Sequence, residues 1–200
     1  MKKLISLKVI LLSLILINCT SDSETNDVIE ETELNIEVKQ SEFDRLSMLT
    51  FWADSIIIPS IDSFYIELNS LNEHVSSFSV NPNPSTLTQL RDQWLTTYKK
   101  WQYVEMFDLG VAEEIYFKNR MNIFPANAIR IENNISNLGF NLDDSANFTS
   151  QGFTALDYLL FGIAPNDDAI IAKFSDSSLN YNSYLAAITS KMIELTLSVK

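Results

Sequence analysis

Phe64-Tyr65-Ile66-Glu67-Leu68-Asn69-Ser70-Leu71-Asn72-Glu73-His74-Val75-Ser76-Ser77-Phe78 spaces its core-type residues alternately by four and three. A helix turns about every 3.6 residues, so Phe64, Leu68, Leu71, Val75 and Phe78 fall on one stripe. A strand would scatter them over both faces. Upstream, Leu46, Leu49, Ala53, Ile56 and Ile57 keep the period. The spacing predicts a first helix from about Ser41 to Phe78 with that stripe buried. Pro59 lies inside it, lacks an amide hydrogen, and is expected to kink or break it.

The same reasoning works outward along the chain. Asn81-Pro82-Asn83-Pro84 reads as a turn, with Asn83 capping a second helix and Pro84 in its first turn. That helix is expected over about Ser85 to Leu109, with Leu87, Leu90, Trp94, Leu95, Tyr98, Trp101 and Phe107 inward and Gly110 just past its end. A third is expected over about Ala126 to Asn137, closed by Gly139, and a fourth over Gly152 to Phe161, closed by Gly162. The last begins near Leu179 and carries Tyr184, Leu185, Ile188, Met192, Leu195 and Val199. It is still periodic at Lys200. With only four glycines and no repeat or phosphate loop, the fold class is all-α, an up-and-down helical bundle over residues 41–200.

The N-terminal segment has another character. Lys2, Lys3 and Lys8 precede the apolar run Val9 to Ile17, too short to cross a hydrocarbon core of about 30 Å. Residues 1–18 therefore read as a secretory signal. Leu16-Ile17-Asn18-Cys19 resembles a lipobox, though Asn18 stands where a small residue is usual. Cleavage before Cys19 and lipidation of it would tether the chain to the outer membrane, facing the periplasm or the cell surface. Cys19 is the single cysteine, so no intramolecular disulfide can form. Residues 19–40, with Asp22, Glu24, Asp27, Glu30, Glu31 and Glu33, read as a flexible acidic tether. Without residues 1–18 the chain keeps 11 basic against 26 acidic residues, a formal charge of −15. That balance excludes nucleic acid as a partner.

Two stretches go beyond generic helix: Trp94 to Gly110 followed by Asn122-Ile123-Phe124-Pro125, and Gln151-Gly152-Phe153-Thr154-Ala155-Leu156-Asp157-Tyr158-Leu159-Leu160-Phe161-Gly162. Together they resemble the imelysin family, whose hallmark is Gly-x-His-x-x-Glu followed by an aromatic, two leucines, an aromatic and glycine. The resemblance implies an all-helical fold of two related bundles, of which this chain looks like the N-terminal one. Gly152 matches the motif glycine, Thr154 stands in place of the histidine, and Asp157 in place of the glutamate. By resemblance Glu105, expected on the second helix, would approach the same place. Glu105, Asp157 and Thr154 would then form an oxygen-rich metal site, weaker for iron or zinc than one with imidazole. The competing reading has Asp157 capping or pairing within the bundle and Glu105 in a buried hydrogen bond.

His74 is the only histidine and flanks the buried stripe, so neither a two-histidine zinc motif nor a local serine–histidine pair is available. Glu113, Glu114, Asp143, Asp144, Asp167 and Asp168 fall in expected loops. The resulting expectation is an envelope lipoprotein acting as a non-catalytic binding component in iron or metal uptake, with an envelope protein or a divalent metal or iron as partner. The alternatives are a metallopeptidase of the imelysin type, disfavoured by the lost histidine, and a half-domain without its own ligand.

Overall fold

A computed structural model describes residues 43–200, which contain helices and turns and no strand. The signal segment, Cys19, the tether and the helix start expected at Ser41 lie outside the described residues. Asp44 caps the first described helix, α1 (Arg45–Trp52), by accepting from the Ser47 amide at 3.0 Å. A π-helical turn, Ala53–Ile57, leads directly into α2 (Ile58–Val80). Pro59 therefore does not break the helix. It occupies the first turn of α2, where its missing amide hydrogen is tolerated, and the wider turn before it re-registers the hydrogen-bond ladder.

The buried stripe is Ile61, Phe64, Leu68, Leu71, Val75 and Phe78. Its expected upstream part is not buried: Leu46, Leu49 and Ile56 are 76%, 49% and 41% exposed. The period is helical there, but among the described residues α1 packs closely only on the π turn that follows it. Periodicity reports a helix; burial needs a neighbour.

Asn83 caps α3 (Pro84–Trp101) through a reciprocal box, accepting from the Ser85 and Thr86 amides at 2.9 and 3.1 Å while Thr86 Oγ1 accepts from the Asn83 amide. The helix stops at Trp101, well short of Leu109. The Val104 and Glu105 amides both bond the Trp101 carbonyl, at 2.8 and 2.9 Å, and this tightening drops Val104 into the core. Glu105 thus sits on a turn rather than on the helix. Leu95, expected inward, is 44% exposed.

Short elements follow: α4 (Val111–Glu114), α5 (Phe117–Met121), α6 (Ala128–Asn137), a 3-10 turn (Ser145–Ser150), α7 (Gly152–Asp157), a second π turn (Tyr158–Gly162), α8 (Asp167–Ser175) and α9 (Tyr181–Val199). Gly110, with φ +59°, opens α4 instead of closing the second helix. Leu138, with φ +54°, and not Gly139, is the left-handed residue that ends α6. The expected fourth helix is α-helical only to Asp157 before the ladder widens. Neither Glu113 and Glu114 nor Asp167 and Asp168 are loop residues; they lie in the first turns of α4 and α8, where carboxylates favour the positive end of the helix dipole.

The core forms where α2 packs against α3 and α9. The short 81–83 turn makes α2 and α3 antiparallel neighbours, and Phe64, Leu68, Leu87, Leu90, Leu185 and Ile188 fill the space with the other buried side chains. The shorter elements close around a polar knot: the Asn134 amide donates to Asn147 and to the Tyr184 hydroxyl, which in turn donates to the Ser150 carbonyl at 2.6 Å.

Two ion pairs converge on Asp143. Arg120 is only 8% exposed and donates to Asp143 at 2.6 Å, with Lys191 on the same carboxylate. Hydrogen bonds first from Arg120 and then from Lys191 hold the Asp143 carboxyl below its ordinary pKa. Its folded pKa lies below the unfolded one, so the stabilisation is complete above the unfolded value and disappears as pH falls through the folded one. Asp143→Asn is expected to cost about 1–2 kcal/mol at neutral pH by leaving Arg120 without its charged partner. Solvent screening of an aspartate whose side chain is 57% exposed keeps the figure at that low end. Urea unfolding of both proteins should show the gap closing in acid; an equal gap at every pH would refute the assignment.

Candidate functional site

Gly152 has a structural reason to be glycine. Gly152 begins α7 with φ +73°, and a Cβ there would overlap the Met121 carbonyl oxygen and lie 2.7 Å from the Arg120 carbonyl oxygen. Only glycine lets α7 start this close to the end of α5. Two residues on, Thr154 Oγ1 donates to the Ile123 carbonyl at 2.7 Å. The Thr154 hydroxyl therefore ties α7 to the loop Asn122–Pro125, whose Phe124–Pro125 peptide is cis.

These constraints build a recess of about 180 Å³. From α3 come Trp94 and Tyr98, from the loop Asn122 and Phe124, and from α7 Phe153, Thr154 and Asp157. Trp94 and Tyr98 lie one turn apart and stack almost in parallel, 3° between planes and 5.5 Å between centroids. The Trp94 indole donates to the Phe153 carbonyl at 3.3 Å, and the Asn122 amide reaches the Tyr98 hydroxyl at 3.5 Å. Phe124 stands at the rim, 88% exposed.

Asp157 is the recess's single ionisable carboxylate. It has no hydrogen bond or ion pair to another described side chain. Although it keeps more than a third of its surface, nearby atoms desolvate the carboxyl and push its pKa up. Arg91 fastens the π turn: Nε and Nη2 donate to the Leu160 carbonyl at 3.1 and 2.7 Å. Its other bonds go to Asp167.

The imelysin family model matches residues 57–200, most of the chain. The chain belongs to the imelysin family. No curated protein and no solved structure matches it. The described residues form an all-helical fold, consistent with an imelysin domain.

Of the three residues read as metal ligands in this imelysin chain, Thr154 and Asp157 share the recess, and Glu105 is not among its walls. No group of three His, Cys, Asp or Glu side chains converges among the described residues. The donor set does not fit a catalytic zinc or iron centre, which takes three protein ligands. His74 sits half-buried on the flank of α2, its Nδ1 2.8 Å from the Ser70 carbonyl oxygen.

By spacing, Trp94 and Tyr98 fall on the core face of the second helix, and Asn122 and Phe124 carry only the family resemblance. Their i, i+4 aromatic spacing was the available signal for the α3 wall. That the wall faces Asp157 depends on residues about 60 positions apart, which spacing does not report.

Proposed function

We propose that this imelysin domain is a non-catalytic binding component of the cell envelope, held at the outer membrane by lipid on Cys19 and serving iron or metal uptake. The observation that supports it is the aromatic recess on the motif helix with Asp157 as its one anionic group. Metallopeptidase chemistry needs a ligated metal that activates water, with a general base beside it. Here the imidazole position is Thr154, and its hydroxyl proton is committed to the Ile123 carbonyl. Metal on this reading is cargo of the uptake system rather than a resident cofactor. No helix among the described residues is long and apolar enough to cross a membrane.

The test is made on the full chain expressed in a bacterial host. Radiolabelled palmitate should enter the protein and be lost in Cys19→Ser. Titration with ferrous and manganous ions should show at most weak saturable binding, removed by Asp157→Ala, and casein should remain uncut. Casein cleavage abolished both by chelator and by Asp157→Ala would replace this reading with the peptidase one. Absence of label would remove the anchor.

A further inference from the structure

The chain solves one recognition problem twice. Arg91 lies over the Phe161 ring at 4.5 Å and grips Asp167 with two nitrogens at 2.8 and 3.0 Å. Arg120 lies over the Phe148 ring at 5.5 Å and donates to Asp143 at 2.6 Å. In both cases a guanidinium is held between an aromatic face and a largely exposed aspartate, each aspartate side chain keeping 57% of its surface. The recess repeats the two receiving parts, with aromatic rings from Trp94, Tyr98 and Phe124 and the carboxylate of Asp157. No basic side chain of the described residues pairs with that carboxylate.

Resting on the reading of this recess as a binding site, we infer that its ligand is a guanidinium group, presented by an arginine side chain of a partner protein or by a small guanidino compound. The donors decide against a bare metal. One carboxylate and neutral oxygens satisfy little of the six- to eight-oxygen shell a hard cation requires, and aromatic walls return none of the hydration it surrenders. A guanidinium is weakly hydrated, stacks on aromatic faces and meets a carboxylate with two parallel hydrogen bonds. Size agrees. At about 180 Å³ the recess is smaller than the ~300 Å³ at which pockets for drug-sized ligands begin, and suits one side-chain head group.

The experiment follows the Trp94 indole N–H resonance of the full chain in non-ionic detergent. The probes are ethylguanidinium, the peptide Gly-Arg-Gly, its Gly-Lys-Gly counterpart and manganous ion. Saturable shifts are expected with ethylguanidinium and Gly-Arg-Gly, and weaker ones with Gly-Lys-Gly. Asp157→Asn should weaken guanidinium binding about tenfold or more, the worth of a charge-assisted hydrogen bond. Phe124→Ala, at a rim position 88% exposed, should weaken it without altering the fold. Tighter binding of the peptide than of ethylguanidinium assigns the group to a partner protein, and the reverse assigns it to a small molecule. Saturation by manganous ion, lost in Asp157→Asn and with no response to either guanidinium, would overturn this inference and leave the binding function standing. Silence toward all the probes by a protein with native dispersion of its indole signals would overturn both.

Discussion

Replacing Gly152 by alanine is expected to remove about 3 kcal/mol or more of folding stability. Two effects combine. The φ of +73° strains any residue with a Cβ, and the new methyl would overlap the Met121 carbonyl and come within 2.7 Å of the Arg120 carbonyl oxygen. Those atoms are backbone at the end of α5, so relief requires moving α5 or α7 bodily. Gly110→Ala is the control, because Gly110 has φ +59° but open space around the missing Cβ. It should show strain alone, about 1–3 kcal/mol. Urea unfolding of the three proteins separates the contributions. Equal losses for the two variants would show that the approach of α7 to α5 does not matter.

Phe153→Ala is expected to lose about 3–5 kcal/mol, the range for deleting a buried aromatic and leaving a cavity. Phe153 is fully buried, and its ring centroid lies 5.1 Å from that of Tyr98, 6.1 Å from Phe64 and 6.2 Å from Trp101. It joins α2, α3 and the motif helix at one point, so the void cannot be filled by one neighbour's rotation. Phe124 lines the same recess from the solvent side, and Phe124→Ala should stay within about 0.5 kcal/mol of the unsubstituted protein. Thermal melts followed by circular dichroism read both. A loss below about 1 kcal/mol at Phe153 would mean that the rings are not coupled as described.

Both predictions concern α7, whose residues at 152–154 each have a role in holding the fold. Gly152 is required by a close backbone approach, Phe153 by packing and Thr154 by a bond to the Ile123 carbonyl. All three roles are structural and none needs a metal. Asp157, one turn further along, has no partner among the described side chains, which is why the functional proposals converge on it.

The sequence by itself determined the helical class, the buried stripe from Phe64 to Phe78, the Asn83 cap and the family. Each follows from local spacing or from a motif read in order, and local hydrogen bonding obeys local rules. Tertiary structure decided the rest. It exposed Leu46, Leu49 and Ile56 despite their period, ended α3 at Trp101 by drawing Val104 inward, and moved Glu105 off that helix. It also brought Trp94 and Tyr98 to the same recess as Asp157. Periodicity says which residues share a face, but only packing between distant segments says what that face meets.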